Sequence, residues 1–127
     1  MLFHPRHAKK ALATVKQKLL SSVALKSVDP KYLHFTENYT CDSDNYHNGP
    51  EWIWLYGKYI IARYIFAPDS MPKNPFHELE RILYESPAKA LPEIINADGS
   101  RCEWSCDSQA WSNACILEAY HFINSTN

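Results

Sequence analysis

Residues 52–66 read WIWLYGKYIIARYIF, a run that is apolar on nearly every side when it is wound into a helix. We therefore expect a helix that is buried on most of its faces. Pro50 suits a first helical turn, where its missing N–H would have no partner, and this predicts a helix over 50–67. Glu51 would then lie at the positive end of the helix dipole.

Three further helices are predicted on either side of this segment. The first covers residues 7–27, because apolar side chains recur at helical spacing with lysines opposite. The others cover 75–86, which Pro87 ends, and 107–123. The stripe of the first helix consists of Leu12, Val15, Leu19 and Val23.

The connections at 28–49 and 87–106 are long and lack a regular period. The first includes the turn-rich run Asp42-Ser43-Asp44-Asn45. Long loops in a compact domain are often functional, and we expect these two to converge at one end of the molecule. Since no segment shows sustained strand alternation, the predicted fold class is all-α.

The composition excludes two classes of partner. Of 127 residues, 46% are hydrophobic and 21% charged, which is typical of a globular domain long enough to bury a core. Thirteen basic and fourteen acidic residues give a net charge of −1, so the broad basic field used to bind nucleic acid is missing. No apolar run reaches the ~20 residues of a membrane span. We therefore predict neither nucleic acid nor membrane as a partner.

The beginning of the chain leaves two interpretations open. Residues 1–28 hold six basic residues and no acidic one, as a mitochondrial transit peptide would. We favour an internal helix and expect a cytoplasmic protein. Only one pair of cysteines has a ligand-like spacing, so reduced structural thiols are predicted rather than a metal site. The cysteines are Cys41, Cys102, Cys106 and Cys115.

Two stretches combine carboxylates, amides and indoles in or beside the long loops. One reads NYHNGPEW over residues 45–52, and the other reads LPE over 91–93 followed by SCDSQAWS over 105–112. Carboxylates, amides and aromatic rings on loops held by helices are what a sugar site uses. Glu93 is the best candidate for a reacting carboxyl group, although a surface glutamate beside a short strand would show the same local pattern.

These stretches, in this order and spacing, resemble the C-terminal end of the eukaryotic glycogen debranching enzymes, in their amylo-1,6-glucosidase part. The family block is Asn-Tyr-His-Gln-Gly-Pro-Glu-Trp, with Asn48 here in place of the glutamine. The likeness covers nearly all 127 residues. It implies that Glu93 is the general base of an inverting glucosidase. The general acid of the family lies upstream, and no residue of this chain aligns with it.

The resemblance also implies roles for the neighbours of Glu93. Glu51 would accept hydrogen bonds from glucose hydroxyls, or else only stabilise a helix start. Trp52 or Trp54 would floor a sugar ring, or else pack in the core. Gln109 and Trp111 would brace the loop that carries Glu93. The full predicted substrate-binding set is Asn45, His47, Glu51, Trp52, Gln109 and Trp111.

Taken with the resemblance, residues 1–127 are expected to form about the last four helices of an (α/α)6 glucosidase barrel. The reaction would be hydrolysis of the α-1,6-linked glucose left at a glycogen branch, with no metal or organic cofactor. The partners would be a branched α-glucan and the upstream barrel helices, which would pack on an exposed apolar face. A non-catalytic glycogen-binding module and a truncated gene product are the alternatives.

Overall fold

The computed structural model describes residues 4–21, 23–41 and 45–125. Within them the chain is mostly helical, as predicted. The four helices are α1 (Pro5–Lys18), α2 (Ile53–Phe66), α3 (His77–Glu85) and α4 (Ala110–Ser125), with a 3-10 turn at Pro68–Ser70. The turn predicted at Asp42-Ser43-Asp44 lies outside the described residues.

A small antiparallel sheet is the main departure from the all-α prediction. Its strands are β1 (Leu25–Lys26), β2 (Glu51–Trp52) and β3 (Ile94–Ile95), with β2 in the centre. Glu51 pairs with Lys26 on one side and with Ile95 on the other. Each strand has two residues, which is too short for the alternation that identifies a strand from sequence.

The first helix ends nine residues earlier than the predicted boundary at residue 27. Leu19 is its C-cap, and the chain then turns so that Lys26 N–H donates to Leu19 C=O at 2.9 Å. The Ser21 hydroxyl accepts from the backbone N–H groups of Val23 and Ala24 at 3.2 Å each. A serine that bonds to nearby backbone in this way competes with helix formation. Val23 is nevertheless a core residue, as its place on the predicted stripe indicated.

The second helix starts at Ile53, not at Pro50, because Pro50 precedes the central strand. Trp52 is the N-cap, so Glu51 does not lie at a helix N-terminus and the helix-dipole interpretation of Glu51 is wrong. The helix itself contributes four residues to the hydrophobic core. Its buried residues are Ile53, Tyr56, Gly57, Tyr59, Ile60 and Arg63.

The tightest helix packing joins α2 to α4 at a glycine. A Cβ atom built on Gly57 would lie 2.4 Å from the carbonyl oxygen of Cys115, so only glycine permits this approach. The last helix begins at Ala110 rather than near residue 107, and it buries the small side chains of Ser112 and Ala119. Leu79 and Ile82 of α3 are buried in the core.

The two long loops converge, as expected from the sequence. Asn96 Oδ1 accepts from Tyr39 N–H at 3.0 Å, and Asn38 Oδ1 accepts from Ala97 N–H at 3.4 Å. Gly49 lets the first loop fold onto β2, because its φ is 153° and an added Cβ would overlap the Thr36 carbonyl. The motif-bearing stretches thereby come together around the sheet.

Candidate functional site

The backbone of Glu93 is held on both sides. Its N–H donates to Cys106 C=O at 2.9 Å, and its C=O accepts from Ile53 N–H, at the start of α2, at 3.4 Å. Pro92 before it and Ile94 after it are buried. Glu93 itself is only half-buried, so its side chain can meet a ligand. These contacts fix the residue between the last loop and the central helix.

The side chain of Glu93 contacts the other motif stretch through Tyr46. The Tyr46 hydroxyl donates a hydrogen bond to Glu93 Oε2. Burial, and secondly this hydrogen bond, raise the pKa of Tyr46 well above its usual value, so the phenol stays protonated and remains a donor. A carboxylate and a neutral phenol are thus paired across 47 residues of sequence.

Aromatic rings pack around Tyr46 and extend toward the last helix. The Tyr46 ring meets Tyr39 and Trp52 edge-on, with centroids 5.2 and 5.5 Å apart. Trp111 then contacts both Trp52 and Trp54, at 6.1 and 5.7 Å. We call these five rings the aromatic cluster. It joins the first motif stretch to the second.

Only part of the aromatic cluster can reach a ligand. Trp52 is 6% exposed and belongs to a core cluster with Ile94 and Cys102. Trp111 is 45% exposed, and it is therefore the indole of this cluster best placed to offer a face to a sugar. Its ring contacts are with Trp52 and Trp54.

Glu51 lies in β2, which pairs with β3, the strand that directly follows Glu93. Its side chain contacts different residues from that of Glu93. Its side chain has no exposed surface. Ser21 Oγ donates to Glu51 Oε2, and Lys26 Nζ lies 3.6 Å from Oε1. Burial raises the pKa of the Glu51 carboxyl, and the two partners oppose that shift. The chain itself encloses this carboxylate, so it presents no atom to a ligand in this structure.

The remaining residues of the first stretch differ in exposure. Asn45 is buried, and its Nδ2 donates to Thr40 Oγ1 at 2.6 Å. This bond ties the loop to itself. His47 is exposed and stacks on Trp52, with centroids 5.3 Å apart and planes 13° from parallel. Of these two residues, His47 is the one whose side chain is exposed and can contact a ligand.

The last helix braces the loop of Glu93, but mainly through a residue that the sequence did not single out. Gln109 N–H donates to Leu91 C=O at 2.9 Å, whereas the Gln109 side-chain oxygen accepts from Ala110 N–H at 3.0 Å. Asn113 Oδ1 accepts from Leu91 N–H at 3.1 Å, and its Nδ2 donates to Gln109 C=O at 2.7 Å. Asn113 therefore links α4 to the segment before Glu93.

Four site residues were missed in the sequence: Tyr46, Ser21, Lys26 and Asn113. Tyr46 stood inside the quoted block, where a phenol next to histidine and asparagine was a usable signal. The others carry no local signal, since they act through contacts 22 or more residues away in sequence.

The described residues hold neither a metal cluster nor a membrane helix. No group of three or more His, Cys, Asp and Glu side chains among them is placed to bind a metal ion. Among residues 4–21, 23–41 and 45–125, no helix has the length and apolar character needed to cross a bilayer. All four cysteines are free, and burial raises the pKa of the Cys102 thiol to about 12.

Comparison with known proteins agrees with the motifs. A family model described as amylo-alpha-1,6-glucosidase matches residues 1–118. The glycogen debranching enzyme of Saccharomyces cerevisiae is 33% identical over 148 aligned positions. The match covers 94% of this chain but 10% of the yeast protein, in its end region. Since the family model covers nearly the whole chain, this protein belongs to the amylo-alpha-1,6-glucosidase family.

Proposed function

We propose that the chain, over residues 1–127, is the C-terminal part of the glucosidase domain of a glycogen debranching enzyme. The activity would be hydrolysis of α-1,6-linked glucose at glycogen branch points, in the cytoplasm. The observation that supports this most directly is the pairing of Glu93 with Tyr46, beside an aromatic cluster that joins both family motifs. A positioned carboxylate beside partly exposed rings is what sugar hydrolysis requires.

Glu93 is the general base in this proposal. It takes a proton from water, the water oxygen attacks the anomeric carbon, and the glycosidic C–O bond breaks with inversion. The leaving oxygen is protonated by a general acid that the upstream part of the longer protein supplies. Two carboxyl groups and a water complete the reaction, so no metal or organic cofactor is included.

The predicted sugar-binding residues have different roles in this proposal. Trp111 and His47 have surface to contact glucose directly. Trp52 packs against the rings of His47 and Trp111 and holds them in place. The side chains of Asn45 and Glu51 are enclosed, and we assign them to holding the loop and the sheet around the site. Gln109 supports the segment of Glu93 through its backbone.

The exposed apolar surface supports the placement of this chain within a larger (α/α)6 barrel. Leu117 is 67% exposed, and Tyr120 is half-exposed beside it on α4. Both line a groove of about 390 Å³ that α3 and α4 form between them. We propose that upstream barrel helices cover this face, since monomeric proteins rarely leave such apolar patches bare.

The test uses the yeast debranching enzyme with its matching end replaced by this chain. The parent chimera should release glucose from a branched limit dextrin. Glu93→Gln keeps the shape but removes the proton acceptor, so glucosidase turnover should fall at least ~10²-fold. Transferase activity, expected in a separate barrel, should change little. The matched control is Glu103→Gln, an exposed glutamate on the same loop.

Two results would contradict this proposal. If Glu93→Gln turns over within a few-fold of the parent chimera, the base is another residue. If the parent chimera binds limit dextrin but the 127-residue chain can be deleted without loss of glucose release, the chain is a non-catalytic binding module.

A further inference from the structure

We propose that Tyr46 is the positioning residue for the general base Glu93. This inference rests on the proposed function, because it concerns how Glu93 works. It starts from the hydrogen bond that the Tyr46 hydroxyl donates to Glu93 Oε2. Of the two carboxylate oxygens this bond occupies Oε2, and we assign to Oε1 the task of accepting the proton from water.

A base of this kind must hold one rotamer while water is bound. The Glu93 backbone is already fixed at its N–H and its C=O by Cys106 and Ile53. The side chain has three further torsions, and the hydroxyl of Tyr46 is the contact that restrains them. A base misplaced by about 1 Å can cost a large part of the rate, so this restraint bears on turnover.

The Tyr46 ring is itself well held. Tyr39 and Trp52 meet it edge-on, and the His47 ring lies 5.3 Å away at 74°. These contacts are made by the ring and do not need the hydroxyl. Removing the oxygen alone should therefore leave the ring in place, which separates the positioning role from packing.

The hydrogen bond to Glu93 requires a protonated phenol. Burial raises the pKa of Tyr46 well above its usual value, so its hydroxyl stays a donor at neutral pH.

The experiment compares the parent chimera with Tyr46→Phe. We expect kcat to fall about 10-fold, because the base is no longer held in place, and KM to stay within about two-fold of the parent. The control is Tyr32→Phe, which removes the hydroxyl of a half-exposed tyrosine outside the aromatic cluster. Its kcat and KM should match those of the parent.

A second variant keeps the test valid if Tyr46→Phe folds poorly. Replacing Tyr46 by 3-fluorotyrosine preserves both the ring and the hydroxyl donor, so kcat should stay within about two-fold of the parent. If Tyr46→Phe keeps the kcat of the parent, or if 3-fluorotyrosine loses as much kcat as Tyr46→Phe, while Glu93→Gln is inactive, the role of Tyr46 is overturned and the assignment of Glu93 stands. If Glu93→Gln retains turnover, both proposals fail together.

Discussion

Glu51 is a carboxylate with no exposed surface, in the central strand of the sheet. It is compensated by one hydroxyl from Ser21 and one ammonium group from Lys26. Partial compensation leaves the charged form disfavoured, so the pKa of Glu51 is raised by burial. The Glu51 carboxyl therefore binds a proton more tightly when the sheet is folded than when the sheet is locally unfolded.

This raised pKa predicts that the sheet becomes less stable as pH rises. Between the usual carboxyl pKa and the raised one, the closed state binds more protons than the open state, so stability falls with increasing pH. Each pH unit across that window should lower amide protection in β1 and β2 by up to about ten-fold. Cys102, whose pKa burial raises to about 12, stays neutral across that window.

Hydrogen exchange of the chimera, corrected for the intrinsic rate at each pH, would measure this. Glu51→Gln should remove the decline in protection. Glu37→Gln, which removes a more distant carboxylate that also raises the pKa of Glu51, should reduce it only slightly. An unchanged slope in Glu51→Gln would assign the pH dependence to another group.

For single residues, the sequence indicates candidates by residue type but not the contacts that they make. Glu93, Trp111 and His47 were singled out by residue type and motif, and each has exposed surface in the structure. The partners Tyr46 and Asn113 were not, because their bonds to Glu93 and Leu91 span 47 and 22 residues. No local pattern encodes a contact of that length.

Among the helices, the packing of α2 on α4 depends on the absence of a side chain at Gly57. The carbonyl oxygen of Cys115 occupies the place where a Cβ would be. Across the same pair of helices, Lys58 and Glu118 form an ion pair in which both side chains are about half exposed. The Gly57 contact involves a buried backbone atom, whereas the Lys58–Glu118 ion pair lies at the surface. We therefore expect substitutions at the two sites to differ greatly in their effect on the free energy of unfolding.

Gly57→Ala should destabilise the glucosidase domain. The alanine gains about 1 kcal/mol of helix propensity, but overpacking against a backbone atom costs up to about 3 kcal/mol, so a net loss of about 2 kcal/mol is expected. Lys58→Ala removes an exposed ion pair and should cost less than about 1 kcal/mol. The temperature of half-inactivation of the chimera would compare them. Equal values for the two variants would rule out this view of the interface.

The accuracy of the element predictions follows from element length. Helices of nine to sixteen residues carry a full apolar stripe, and all four were predicted. A strand of two residues is too short to show an apolar pattern. The three strands pair because the loops that contain them meet when the chain folds. Since Pro50 and Glu51 suit a helix start as well as a strand, local preference alone placed them in the wrong element.

The whole molecule leaves large apolar side chains in contact with water. Trp104 is 86% exposed, and Leu33, Tyr84 and Leu117 are also mostly exposed. The groove between α3 and α4 adds the edges of Phe76 and Leu83. Such a surface is usual for a face that another element covers.

The isolated chain should therefore associate with itself. At micromolar concentration we expect large particles in light scattering, strong binding of a hydrophobic dye and no release of glucose from limit dextrin. Co-expression with the upstream part of the yeast enzyme should restore a soluble complex. A monodisperse monomer that melts cooperatively would instead show that the chain is a self-sufficient domain.

The central position of β2 also bears on how this family can change in length. Both β1 and β3 pair with the two residues of β2. One residue added or lost in β2 would exchange the positions of Glu51 and Trp52 and break the pairing with both strands. The alignment with the yeast protein spans 148 positions against 127 residues here, so the pair differ by insertions. Exposed turns such as Asp98-Gly99-Ser100 can absorb extra residues, whereas the segment from Gly49 to Ile53 has to keep its length in every relative that uses this sheet.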